Sequence, residues 1–207
     1  IQIASLQENG KPVITEVGLY FEYKLYRGNR TTKISAEHFN AFTSPNYPFL
    51  IESGVHLKVN KDLLLPLDEN QPLRVHKVFD TQVVIIKMFP GINQKVLKTL
   101  VHIPDLKGIV LGTYGSGNAP TEEWFIELLQ KAIISGIHIV NVTQCSGGSV
   151  NMGKYETSSE LKKIGVISGK DCTTEAAITK LMHLLGLNIP ATDFKNTFEN
   201  AIRGEMG

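Results

Sequence analysis

Two glycine-bearing loops hold most of the side chains in this sequence that could do chemistry. The first, Gly112 to Pro120 (GTYGSGNAP), carries Asn118; the second, Thr143 to Met152 (TQCSGGSVNM), opens on Thr143 and Cys145. Glycines and a helix N-terminus expose backbone N–H groups to an anion, and the amide of Asn118 offers both a donor and an acceptor. The common phosphate fingerprints are excluded, because no Gly-Lys-Ser/Thr follows and the spacing is not G-x-G-x-x-G. Glu122 and Glu123 would repel a phosphate, and a helix N-terminus can equally receive a carboxylate ligand. On local features alone, a capping role for Asn118 and Thr121 at the next helix stands level with ligand binding. Cys145 has no histidine placed to activate it, since His138 sits in an apolar strand, His183 within a helix and His102 near a proline. A small packed cysteine is its weightier reading. Nothing flanks Ser146, Ser149, Thr157 or Ser158 as a nucleophile elbow would, and there is no Cys/His pair or catalytic paired-carboxylate signature. The residues describe a ligand pocket without an identified catalyst. Arg27, Arg30 and Lys33, beside Asn29 and two threonines, are a further anion candidate, outweighed by ion pairs and turn hydrogen bonds that support a loop or subunit contact.

Both loops need a rigid mount. Ile109 to Leu111 is a short apolar run, and Trp124, Phe125, Leu128, Leu129, Ala132 and Ile133 then recur at helical spacing. Gly136 stops that helix, and Ile137 to Val142 is a second run rich in β-branched residues. A helix between two apolar strands implies parallel pairing. Open α/β sheets bind ligands at the carboxyl ends of their strands, so both loops fall at one edge. Upstream, Val83 to Met88 reads as a strand and Asn93 to Leu100 as a short helix with Val96, Leu97 and Leu100 inward. Downstream, Ser158 to Ile164 reads as a helix and Val166 to Gly169 as an extended piece. Asp171 is the expected N-cap of a helix that buries Ile178, Leu181, Met182 and Leu185 and ends at Gly186. Thr192 or Asp193 caps a last helix with Phe194, Phe198, Ala201 and Ile202 on one side. The succession predicts an α/β fold, a parallel sheet with flanking helices in three α/β/α layers.

Before these units, Ile1 to Leu6 reads as the tail of a helix, and Val17 to Phe21 and Lys24 to Tyr26 as strands. Residues 51–80 read as a linker, with Pro66, Asp68, Glu69, Asn70 and Pro72 in a loop-like cluster. The expected organisation is residues 1–50 as the end of an N-terminal α/β domain, the linker, and residues 81–207 as a C-terminal α/β domain. A formal charge of +1 gives no electrostatic case for nucleic acid or an anionic membrane. No apolar run approaches the roughly 20 residues that span a bilayer. Two cysteines are too few for a disulfide framework and lack zinc-site spacing, so a reducing cytoplasm is expected. The start at Ile1, without initiator methionine or signal-like region, predicts that an N-terminal portion has been removed.

The blocks LYRGNRTTK, AFTSPNYP, TYGSGNAP, NVTQCSGGSVNMGKY, GVISGKDCTTEAAITKL and the ending IRGE resemble, in that order, the later two-thirds of cytoplasmic-type (type I) bacterial L-asparaginases, over about Val17 to Glu205. The resemblance implies the two-domain asparaginase fold and an amidohydrolase that converts L-asparagine to L-aspartate and ammonia without metal or cofactor. It also implies a homo-oligomer, usually a dimer of dimers. In that family the nucleophilic threonine lies in a Thr-Gly-Gly-Thr-Ile segment, and a Thr-Asp-Thr segment with a later lysine activates it. Neither segment occurs in these 207 residues. The implied piece is therefore a C-terminal portion without the catalytic threonine, unable to turn over substrate alone. Asn118 matches the family's Gly-x-Gly-Asn loop, which approaches a ligand site across a subunit interface. Thr143 and Cys145 match positions that line an allosteric asparagine site in some type I enzymes. Those enzymes carry an arginine six residues before the loop asparagine, where this chain has Gly112. Loss of such a charge-assisted contact removes about 1.5–3 kcal/mol, a factor of ten or more in affinity. Two rival readings are a stand-alone α/β module that binds small ligands through the same loops, and an amidotransferase subunit acting on charged tRNA, against which the near-neutral charge counts.

Overall fold

In the computed structural model, Asn9 and Gly10 take left-handed backbone at φ 52° and 76° and close a hairpin between β1 (Gln7–Glu8) and β2 (Lys11–Pro12). Residues 1–66, 72, 74–120, 122–153 and 156–207 are described, and the chain divides into two units, Ile1–His76 and Lys77–Gly207. The segment before the hairpin, expected as helix, is turns, with Ser5 N–H donating to the Ile1 carbonyl at 3.1 Å.

The first unit is antiparallel. β3 (Gly18–Phe21), β4 (Lys24–Arg27), β7 (Ile51–Ser53) and β8 (Leu57–Val59) form one sheet in that order, and β5 (Thr32–Lys33) pairs with β6 (Phe42–Thr43). Leu25, Leu50 and Ile51 are its buried centre. Part of the expected linker thus enters this sheet, because Ile51 pairs with both Leu25 and Val59. Asp68, Glu69 and Asn70 of the expected loop cluster lie outside the described residues. The basic residues are structural here. Arg27 is buried against Glu16, donates to the Leu63 carbonyl at 2.8 Å and lies over the Tyr47 ring. Arg30 donates to the Asn46 carbonyl at 3.0 Å.

The second unit alternates strand and helix: β9 (Val83–Lys87), α1 (Gln94–Val101), β10 (Gly108–Thr113), α2 (Glu123–Ile134), β11 (His138–Thr143), α3 (Glu156–Lys163), β12 (Ile167–Ser168), α4 (Thr174–Gly186) and α5 (Ala191–Glu199). The strands lie in the order β12-β11-β10-β9, all parallel, with Ile109 beside Ile139 and Thr113 beside Thr143. Alternate side chains leave opposite faces. Ile86, Ile109, Leu111 and Ile139 pack with Leu97, Phe125, Leu129 and Leu161 of α1, α2 and α3. Val110, Val140 and Val142 pack with Ala177, Leu181, Phe194 and Phe198 of α4 and α5. Three layers result, as the periodicity predicts.

Local expectations shift where side-chain chemistry overrides pattern. In α1 the Asn93 side chain caps Val96 N–H at 3.1 Å, but Val96 itself is exposed and Val101 is buried instead. The cap of α4 is Thr173, whose hydroxyl accepts from Ala176 N–H at 3.1 Å. Asp171 instead accepts from Gly207 N–H at 2.9 Å. The buried face of α4 is Ala177, Lys180, Leu181 and Leu184; of the expected residues Leu181 is fully buried, Ile178 and Leu185 pack partly buried against the same core, and Met182 is half-buried. A lysine can face inward because its ammonium meets Glu205 at 2.5 Å and the Asn200 carbonyl at 2.8 Å. Pro190, not Thr192 or Asp193, occupies the N-cap of α5, with no side-chain cap bond. Phe194 and Phe198 are buried there as expected.

Candidate functional site

Parallel register brings the ends of β10 and β11 level, and the two glycine-bearing loops leave from there. Tyr114 and Asn118 exchange two backbone hydrogen bonds of 2.8 Å, closing a turn over Gly115, Ser116 and Gly117. Gly117 is buried at φ +114°, and a Cβ there would meet Val150 Cγ1 at 3.0 Å and Asn141 Nδ2 at 3.3 Å. Only glycine accepts both the left-handed backbone and that approach. Asn118 is thereby held half-buried on a fixed backbone.

Thr143 reaches across to this turn. Its hydroxyl donates to the Gly115 carbonyl at 2.5 Å and accepts from Cys145 N–H at 3.0 Å. Asn151 N–H donates to the Ser116 carbonyl at 2.9 Å, a second link between the loops. Gln144 Nε2 donates to the carbonyls of Met88 and Gly112, both at 2.8 Å, and ties the ends of three strands together. Below the rim, Thr113 Oγ1 donates to Asn141 Oδ1 at 2.6 Å, and Asn141 Nδ2 donates to Met152 Sδ at 3.4 Å. The structure therefore places Asn118, Thr143 and Cys145 on one rim.

Gln144 and Asn141 are the residues that sequence reasoning missed. Their signal was present: a lone asparagine interrupts the β-branched run IHIVNV, and a glutamine stands at the strand end. Thr121 and the Thr157 side chain lie outside the described residues, and Glu122 at the N-cap of α2 makes no side-chain cap bond. Cys145 is exposed rather than packed. His138 stands at the far end of β11, its ring stacked on Phe194 at 3.7 Å, and burial pushes its pKa down. His183 is tilted against Phe79, and His102 Nδ1 lies 2.7 Å from the Lys98 carbonyl. Ser158 Oγ accepts from Gly153 N–H at 3.1 Å. Among the described residues no group of three or more His, Cys, Asp or Glu side chains converges as metal ligands would. The rim offers an amide, the committed hydroxyl of Thr143 and strand-end carbonyls, groups suited to binding.

At Gly112 a Cβ would meet Gln144 Cγ at 3.5 Å and Lys87 Cγ at 3.7 Å, ordinary contacts, so space does not require a glycine there. A cavity of about 390 Å³ lies in the first unit, lined by residues such as Ile3, Ile14, Leu25 and Leu57. The carboxylate that lines it, Glu16, is already paired with Arg27, so the strand-end rim is the better site candidate.

Residues 82–198 match the model of the glutaminase/asparaginase C-terminal domain, and residues 2–65 match that of the N-terminal asparaginase domain. The chain belongs to the glutaminase/asparaginase family. Both rim loops fall within the matched C-terminal domain of this asparaginase-family chain, which opens one residue before β9 and closes inside α5. The chain is 41% identical over 193 residues to L-asparaginase 1 of Escherichia coli K12, covering 93% of this chain and 56% of that protein. It is 38% identical over 205 residues to the 60 kDa lysophospholipase of Mus musculus, covering 99% of this chain and 36% of that one. The crystal structure of L-asparaginase I from Vibrio cholerae O1 biovar eltor superposes with a TM-score of 0.87 at 37% identity, over 94% of this chain and 58% of the other. This chain thus spans between about a third and three-fifths of the length of these relatives. The asparaginase-like fold, with its parallel sheet and flanking helices, is the one expected from the sequence. Among the described residues no helix is long and apolar enough to cross a membrane.

Proposed function

We propose that this chain supplies one wall of an L-asparaginase pocket, in which the side-chain amide of L-asparagine is hydrolysed to L-aspartate and ammonia. The observation that carries this reading is the bond from Thr143 Oγ1 to the Gly115 carbonyl, which fastens the Asn118 loop to the Thr143–Cys145 loop in a chain of the asparaginase family. In this reading Asn118 meets the polar groups of the substrate or effector, and Thr143 and Cys145 line the same rim. The 207 residues alone bind without turnover, because the Thr143 hydroxyl is spent on a carbonyl and acyl transfer needs a hydroxyl beside a base. With Gly112 in place, effector control of the arginine-dependent kind should be weakened, by the loss of a charge-assisted contact. We further propose a cytoplasmic homo-oligomer, which the two free thiols and the near-neutral charge suit.

Ammonia release tests the reading, with the 207-residue chain and the product of its gene read from the initiator codon assayed side by side. L-Asparagine, L-glutamine and lysophosphatidylcholine are the substrates. The expected result is ammonia from asparagine with the gene product and none with the chain. Turnover by the chain alone would overturn the division of roles. Fatty-acid release without ammonia would favour the activity in the mouse relative's name, and asparagine binding without turnover by either protein would favour a ligand-binding module.

A further inference from the structure

We infer that Asn141 is a positioning residue that sets the Asn118 loop for its ligand, an inference that rests on the asparaginase reading. Asn141 is fully buried in the middle of β11, among β-branched neighbours. A buried amide is unfavourable unless its polar atoms are satisfied, so an apolar residue of similar size would be the simpler core choice. The contacts Asn141 makes explain its presence. Its oxygen accepts from Thr113 Oγ1 at 2.6 Å, which fixes the side chain against the last residue of β10. That bond orients Nδ2 toward the rim, where it donates to Met152 Sδ at 3.4 Å in the second loop.

The same Nδ2 lies directly under Gly117, 3.3 Å from where a Cβ would stand, and Gly117 immediately precedes Asn118. Val150 completes the seat. One buried amide thus closes off the Cβ position of Gly117, in the turn that presents Asn118, and bonds Met152 in the loop that carries Asn151, whose N–H holds the Ser116 carbonyl. Removing it leaves Thr143 as a remaining tie, at Gly115, two residues short of the seat. Asn141 touches no ligand itself and acts through the backbone of Gly117 and Asn118.

Four variants test this: Asn141→Leu, Thr113→Val, Thr113→Ser and, as a control remote from the rim, Gly136→Ala. Two readouts are taken. In the gene product, kcat/KM for asparagine should fall between about tenfold and a hundredfold for Asn141→Leu and Thr113→Val, through KM, as a misplaced binding group does. Thr113→Ser keeps the donor and should restore KM, whereas Gly136→Ala should lower the unfolding temperature and leave KM alone. In the 207-residue chain, backbone hydrogen exchange at residues 115–118 and 150–152 should quicken in the same two variants and not in the control. Should Asn141→Leu fail to fold, Thr113→Val carries the test. Unchanged KM and unchanged exchange in folded variants would overturn the positioning role. A wild-type gene product that releases no ammonia would remove the asparaginase reading, and the exchange data would then decide the role of Asn141 independently.

Discussion

The imidazole of His138 is stacked on Phe194 at the end of β11 away from the rim, and burial holds its pKa below the ordinary 6.5. The unfolded chain therefore takes up a proton near pH 6.5 that the folded chain does not, and stability falls as the pH drops below that value. His138→Phe should keep the stack and lose less of its unfolding temperature than wild type between pH 7.5 and 5.5. An equal loss in both would remove His138 from the account. A second buried group, Glu205, behaves separately. Burial raises its pKa, but Lys180 and the N–H groups of Ile202 and Arg203 more than offset this, so its pKa lies below 4.5 and its contribution fades only under more acid conditions. Lys180→Met strands that carboxylate and should destabilise the second unit by about 3–5 kcal/mol, measured by urea unfolding.

At the scale of elements, the strand and helix spans of the second unit were largely legible, because apolar periodicity and stop glycines are local signals. Gly136 is one such signal. It ends α2 at φ +98° with no atom within 4 Å of an added Cβ, so Gly136→Ala should lose about 1–2 kcal/mol from backbone strain alone. A loss near zero in urea unfolding would show that the C-terminal turn of α2 relaxes. Helix faces and caps were less legible. The face of α4 turned on Lys180, whose partner lies 25 residues on in Glu205, and Thr173 displaced Asp171 as its cap. A periodicity count treats lysine as outward and cannot foresee a partner so distant.

Across the whole molecule, thiol chemistry reports how the C-terminal segment is held. Cys145 is exposed on the rim, whereas Cys172 is buried with its sulfur 3.4 Å from the Glu205 carbonyl. Native labelling with a thiol reagent should modify one cysteine per chain, and denaturation should release the second. Lys180→Met should speed labelling of Cys172 by loosening residues 202–206. Two rapidly reacting thiols in the native wild type would contradict this arrangement.

The sequence by itself determined the α/β alternation, the family, and the placing of Asn118, Thr143 and Cys145 on loops at one sheet edge. These follow from chain-local patterns: glycine positions, β-branched runs and ordered motif blocks. Tertiary structure alone decided that the Thr143 hydroxyl is committed to Gly115, that Gln144 ties three strands, and that Asn141 sits beneath Gly117. Those contacts join residues some 24 to 56 positions apart. Their geometry depends on the register of parallel strands and on which face each side chain leaves, and neither is set until the sheet has assembled.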